Sequence, residues 1–219
     1  MHVSVPIARQ TLLPPKVRTR EGEVVRTARS LTGKPIGLVE DFITEAERKQ
    51  LLFHVQSPQA KWNDRLPPSD VWFGRMIDPV DMPPKVLKLM ARIRRRAARH
   101  IAAQYEISEA LYADTLQLVR WRPGDSQAAH ADCEQPDGRP NQFPWRACAS
   151  IIYLNDEFEG GRIHFPKLGL EPPIKPRMLA FFPSTADYLH GVSEVTKGMR
   201  YTQSCFYTFD PAHHDGHRL

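Results

Sequence analysis

Cysteine is scarce in this chain. Its 219 residues include three, Cys133, Cys148 and Cys205, an odd number at wide spacing. That pattern argues against a disulfide framework and reads as three reduced thiols. No two of them have Cys-x-x-Cys spacing, which argues against a zinc ribbon. Long apolar runs are missing too, and no stretch approaches the length needed to cross a bilayer. The opening Met1-His2-Val3-Ser4-Val5-Pro6 lacks the basic-then-apolar order of an export signal. The expectation is a cytoplasmic protein with no membrane partner. Internal repeats and low-complexity tracts are absent. Gly160-Gly161 is no phosphate cradle, because neither a helix start nor a lysine follows it in the required arrangement.

What is present is ordinary for a globular chain: 41% hydrophobic and 25% charged residues. The length suits one domain with a sizeable core. The net charge of +5 comes largely from Lys16 to Arg29 and from Arg92, Arg94, Arg95, Arg96 and Arg99. A basic helix is most often a solvated face. No aromatic ladder is interleaved with these charges, as single-strand binding would favour. A small acidic ligand therefore ranks well above nucleic acid as the reason for the charge.

Residues 1–35 carry prolines and scattered charges without sustained periodicity and read as an arm. Residues 36–114 form a helical support region. Ile36-Gly37-Leu38-Val39 is a short strand, and Thr44-Glu45-Ala46-Glu47 has the form of a capping box opening a first helix. Pro83-Pro84 opens a second, with Val86, Leu87, Met90, Ile93, Ala97, Ala98 and Ile101 on one face and the arginines on the other. Between them, Trp62 to Asp81 reads either as a loop-and-strand insertion covering a site or as core strands, which would use the same aromatics. Residues 115–209 change period: Leu116–Trp121, a strand carrying His130 and Asp132, Ala147–Leu154, Arg162–Phe165, Met178–Phe182 and Arg200–Phe209. Short strands broken by turn signals argue for a sandwich or barrel of antiparallel strands. Residues 210–219 are a tail whose His213, His214, Asp215 and His217 read as a flexible end. The whole, 1–219, is one domain.

The chemistry centres on His130-Ala131-Asp132. An imidazole and a carboxylate two residues apart share one face of an extended strand and can be aimed at one metal ion. His190 follows in an apolar neighbourhood, with Arg200 ten residues later. Two imidazoles and one carboxylate, with positions left open, form the facial triad of non-haem Fe(II) oxygenases. Read singly, each residue has a bland alternative: a surface pair for His130 and Asp132, a buried histidine for His190, a structural ion pair for Arg200. His164, beside Ile163 and Phe165, points outward. Cys133 adjoins a ligand candidate and is open to oxidation.

Three ordered blocks sharpen this: QLVRWRPGDSQAAHAD (117–132), YLNDEFEGGRIHFP (153–166) and LHGVSEVTKGMRYT (189–202). Together they resemble the catalytic domain of the 2-oxoglutarate- and Fe(II)-dependent dioxygenases, most closely the prolyl 4-hydroxylase-like branch. The resemblance implies a mostly β, α+β double-stranded β-helix (a jelly-roll, cupin-like barrel) with the N-terminal helices packed on one sheet. It implies His130, Asp132 and His190 as catalytic iron ligands, and Arg200 as the partner of the distal carboxylate of 2-oxoglutarate. Tyr153 and Thr202 are implied as further contacts to that carboxylate, although both are also simple strand formers. Lysine takes the place of Arg200 in collagen-type relatives, and tyrosine the place of Trp121 in many. Fe(2+), 2-oxoglutarate and O2 are the implied cofactors and co-substrates, with ascorbate as an accessory reductant. The carboxylate of Asp132 favours hydroxylation over halogenation, with desaturation and cyclisation left open.

The expected reaction is hydroxylation of an unactivated carbon, releasing succinate and CO2. Arginines and aromatics in Trp62–Met76 and Cys133–Trp145 favour an amino-acid-like or natural-product small molecule. The alternatives are a peptidyl (prolyl-type) hydroxylase and, from other classes, a non-catalytic metal- or ligand-binding barrel or a zinc hydrolase.

Overall fold

The computed structural model describes residues 27–214. The expectations for residues 1–26 of the arm, and for Asp215 and His217 of the tail, lie outside the described residues. After a 3-10 turn at Ala28–Leu31, the elements in order are β1 (Gly37–Val39), α1 (Glu45–Val55), β2 (Met76–Ile77), α2 (Pro84–Tyr105), β3 (Tyr112–Trp121), β4 (Gln127–His130) and β5 (Arg146–Tyr153). They continue with β6 (Phe158–Gly160), β7 (Ile163–His164), β8 (Leu179–Pro183), β9 (His190–Val192), β10 (Val195–Gly198) and β11 (Arg200–Thr208). No helix among the described residues is long and apolar enough to cross a membrane.

The strands form a six-stranded antiparallel sheet in the order β1-β8-β5-β11-β3-β2, faced by β4-β9-β7 and by the pair β10-β6. This is the jelly-roll arrangement, and strand alternation explains how it works. On β11, Tyr201, Cys205 and Tyr207 point into the core shared with the helices, where Ile93, Ile101 and Tyr105 of α2 meet them. Arg200, Thr202, Ser204 and Phe206 point the other way and line a pocket between the sheets. One face of the large sheet is thus a helix-covered core, and the other is free to carry a site.

α1 begins as its sequence requires: the Thr44 hydroxyl accepts from Glu47 N at 3.2 Å and the Glu47 carboxylate accepts from Thr44 N at 2.9 Å. The same carboxylate takes both terminal nitrogens of Arg96 at 2.7 and 2.8 Å, which ties α1 to α2. Those Arg96 bonds, ahead of the cap, hold the Glu47 carboxyl below its ordinary pKa. The expected solvated arginine face of α2 holds for Arg92, Arg95 and Arg99. Arg94 departs from it, being 1% exposed within the helix–sheet core beside Ile93 and Ala97. Apolar periodicity does not register such a residue, because a long side chain can turn inward from the edge of a polar face.

The first strand sits where a side chain has no room. A Cβ on Gly37 would overlap the ring of Phe181, the residue paired with it on β8. Gly37→Ala is expected to destabilise the fold by about 1–3 kcal/mol through overpacking. The measurement is a lower urea midpoint at unchanged m-value; an unchanged midpoint contradicts the packing described.

Candidate metal centre

β4 ends at His130 and β9 begins at His190, and the two residues are directly paired across the strands. Their rings lie 4.5 Å apart between centroids. The expected strand through Asp132 is shorter than the sequence suggests, since β4 stops at His130 and Asp132 lies just past its end. The backbone there is held by the neighbouring loop instead: Asp132 N and Cys133 N each donate to Ser184 O at 3.1 Å. Asp132 Oδ1 lies 3.7 Å from His130 Nε2 and 3.8 Å from His190 Nε2. One ligand atom from each of the three residues falls within 4.8 Å of the other two.

The tautomers are set by the main chain. His130 Nδ1 donates to Ala128 O at 3.0 Å and His190 Nδ1 to Tyr188 O at 3.1 Å. A carbonyl oxygen can only accept, so each ring carries a proton on Nδ1 and turns Nε2 towards Asp132. Burial among Phe182, Phe165 and the sheet pushes the pKa of His190 down, against the opposing pull of Asp132, and favours the neutral ring. The other oxygen of Asp132, Oδ2, is buried with no hydrogen-bond partner. Two imidazoles presenting Nε2 and an incompletely satisfied buried carboxylate fit a divalent cation well. The side chain of His130 remains 35% exposed, so the cluster opens on one side.

Arg200 is 1% exposed and lines the same pocket. Its Nε has no hydrogen-bond partner, and it lies between the rings of Trp121 (5.3 Å) and Tyr153 (5.2 Å). Burial lowers its pKa, with the Tyr153 phenol opposing. No carboxylate among the described residues pairs with it, so the structural ion pair is not found and the guanidinium is free to receive an anion. Thr202 shares its strand face and lines the pocket; Tyr153 is fully buried beneath the guanidinium. The Gly160-Gly161 turn closes against this corner, since a Cβ on Gly161 would lie 3.2 Å from Arg200 Cδ. The pocket is open at its mouth, and the non-atom space within it, open solvent included, is about 560 Å³.

The Trp62–Asp81 insertion contributes a wall. Trp72 lines the pocket and meets Trp121 edge to face at 6.1 Å. Its segment is pinned to β3 by Arg120 Nε, which donates to Gly74 O at 2.8 Å, and to the turn after β3 by the buried pair of Arg75 with Asp125 at 3.0 Å. Three further features lay beyond sequence reasoning. Gly191 carries no side chain because a Cβ there would lie 2.8 Å from both Gln127 O and His164 Nε2, so glycine lets β9 fit between β4 and β7. Gln127 reaches to 3.4 Å from His130 Nε2. Glu134 is buried in the loop after Asp132. His164 is half-buried and does not line the pocket, whereas its neighbour Ile163 does. The expectation that Cys133 is open to oxidation is corrected: the thiol is 2% exposed and its pKa is pushed far up by burial, which suppresses the reactive thiolate.

Residues 116–208 match the family model of the 2OG-Fe(II) oxygenase superfamily. The chain is 28% identical over 160 residues to prolyl 3-hydroxylase 2 of Homo sapiens, a match that takes in 63% of this chain but 22% of that protein. It is 33% identical over 85 residues to prolyl 3-hydroxylase 1 of Gallus gallus, covering 36% of this chain and 12% of the relative. The chain thus spans only a fraction of the length of the curated relatives it matches. Among solved structures it is similar to a viral collagen prolyl hydroxylase from Paramecium Bursaria Chlorella virus-1 in its 2OG complex. The TM-score is 0.57 at 17% identity over 80% of this chain and 96% of that one. A Trichoplax adhaerens prolyl hydroxylase in complex with a hypoxia inducible factor peptide gives 0.56 at 14% identity, over 83% and 87%. At these identities the structural likeness concerns the fold.

A buried cation without a counter-ion costs stability. Arg200→Met is therefore expected to leave the ligand-free fold unchanged or to stabilise it by about 1 kcal/mol. Urea melts check this, and a loss of more than that amount would mean that Arg200 has a structural partner.

Proposed function

We propose that this chain, which belongs to the 2OG-Fe(II) oxygenase superfamily, hydroxylates a prolyl residue within a peptide or protein. The carrying observation is the geometry of His130, Asp132 and His190: two imidazoles with Nδ1 tied to the backbone, and one carboxylate with a free buried oxygen. In this reading the three residues would hold Fe(II). The bound iron, with 2-oxoglutarate, supplies the oxidising power that places a hydroxyl on an unactivated carbon, with succinate and CO2 as co-products.

The protein's part is positioning. Arg200 would hold the distal carboxylate of 2-oxoglutarate, for which a guanidinium's paired donors are suited, and Thr202 would offer a hydroxyl on the same face. Tyr153, beneath the guanidinium, holds it in place. Trp72, Trp121 and Val192 wall off water around that co-substrate. The exposed edge of His130 marks the side on which substrate arrives.

The substrate class departs from the small molecule favoured by composition alone. Prolyl 3-hydroxylases among the relatives, and a peptide-bound prolyl hydroxylase among the structural neighbours, support a peptidyl substrate. The open mouth of the site is compatible with a chain passing over it.

The test is succinate release from 2-oxoglutarate, with Fe(II) and air, across proline-containing peptides, matched proline-free peptides and free amino acids. Proline peptides alone should stimulate it. Stimulation by free amino acids instead would favour the small-molecule alternative, and turnover that persists without oxygen and 2-oxoglutarate would favour a hydrolase. In the same assay Arg200→Gln should raise the KM for 2-oxoglutarate roughly 30-fold or more, the equivalent of about 2 kcal/mol.

A further inference from the structure

We infer that Glu134 is a positioning residue for the metal-holding face, joining the segment that bears Asp132 to the segment that bears His190. This rests on the reading of His130, Asp132 and His190 as metal ligands. Glu134 lies two residues beyond Asp132 and is 8% exposed. A carboxylate buried to that degree needs partners, and both of its oxygens have them.

Oε2 accepts the backbone N–H of Ala186 at 2.9 Å. Ala186 opens the 3-10 turn Ala186–Tyr188, and the carbonyl of Tyr188 is the group that fixes the His190 ring. Thr185 occupies the cap position of that turn, yet its side chain makes no capping bond. Glu134, 52 residues earlier in the chain, takes that role from across the site. Oε1 pairs with Arg29 at 2.8 Å, and Arg29 also donates to Gly138 O at 3.1 Å within the loop after Asp132. One carboxylate therefore links the Ala28–Leu31 turn, the Asp132 loop and the turn that orients His190.

The consequence is mechanical. Asp132 and His190 sit on separate strands of chain, and a common centre requires their side chains to stay within a few tenths of an ångström of one arrangement. The Ser184 carbonyl, which accepts from both Asp132 N and Cys133 N, fixes the two segments at one point. The Glu134–Ala186 bond fixes them at a second and removes rotation about the first. Arg29 holds the carboxylate in its aim from the other side.

The experiment is a titration of the metal-free chain with Co(II), followed by visible absorption, which reports both affinity and ligand geometry without turnover. Glu134→Ala is expected to weaken binding roughly ten-fold or more, as loss of supporting contacts around metal ligands does, and to change the absorption envelope. Glu134→Gln keeps an oxygen for Ala186 N–H and should restore both affinity and envelope to near the parent values. Glu134→Asp keeps the charge but is one methylene short of Ala186, so it should behave as the alanine variant and stands in for it if that variant fails to fold. Parent-like binding and envelope in folded Glu134→Ala or Glu134→Asp would overturn the inference, as would a glutamine variant no better than alanine. A parent chain that takes up no Co(II) would instead refute the metal reading itself, and this inference with it.

Discussion

Two imidazoles must point the same nitrogen at the same place, and in this protein the backbone makes them do so. His130 and His190 are opposite one another across β4 and β9, and each gives its Nδ1 hydrogen to the carbonyl two residues earlier in its own chain segment. That repeated local bond leaves both Nε2 atoms facing Asp132. The remaining features of the site serve this constraint. Glycine at 191 lets the strands approach, Phe165 and Phe182 pack the inner ring, and the loop after Asp132 returns to the turn before His190.

The jelly roll makes such a site affordable in stability terms because its large sheet has two unlike faces. Apolar residues on one face of β11 and β5 join the helices in the main core, which carries the folding free energy. The opposite face is then able to hold groups that cost stability: a cation without a counter-ion at Arg200, a carboxylate with a free oxygen at Asp132, and a phenol buried beneath the guanidinium at Tyr153. Groups held in that state are poised to exchange an internal deficit for a ligand, and their alignment along one pocket matches what a metal and a dicarboxylate require.

Much of this was legible in the sequence, and for identifiable reasons. His130, Asp132, His190 and Arg200 stand in compact ordered blocks, so their convergence follows once the antiparallel strands are recognised. The capping box at Thr44 and the apolar stripe of α2 are local patterns, and both appear as expected. The failures lie where long-range contacts override a local signal. Arg94 reads as part of a polar face but lies inside. Cys133 reads as reactive beside a ligand, yet burial removes the thiolate. Glu134 looks like one more acid in a polar loop, because nothing local announces a bond to Ala186. Substrate class is also outside what composition records, since the same aromatics and arginines suit small molecules and peptides alike.

The central claim is that three side chains far apart in the chain form one site for ferrous iron. Anaerobic equilibrium dialysis against Fe(II), comparing the parent chain with Asp132→Ala, tests it most directly. The account predicts about one iron per parent chain and none held by the variant, with the circular dichroism of the fold unchanged. Equal iron in the two proteins, or none in either, would contradict it.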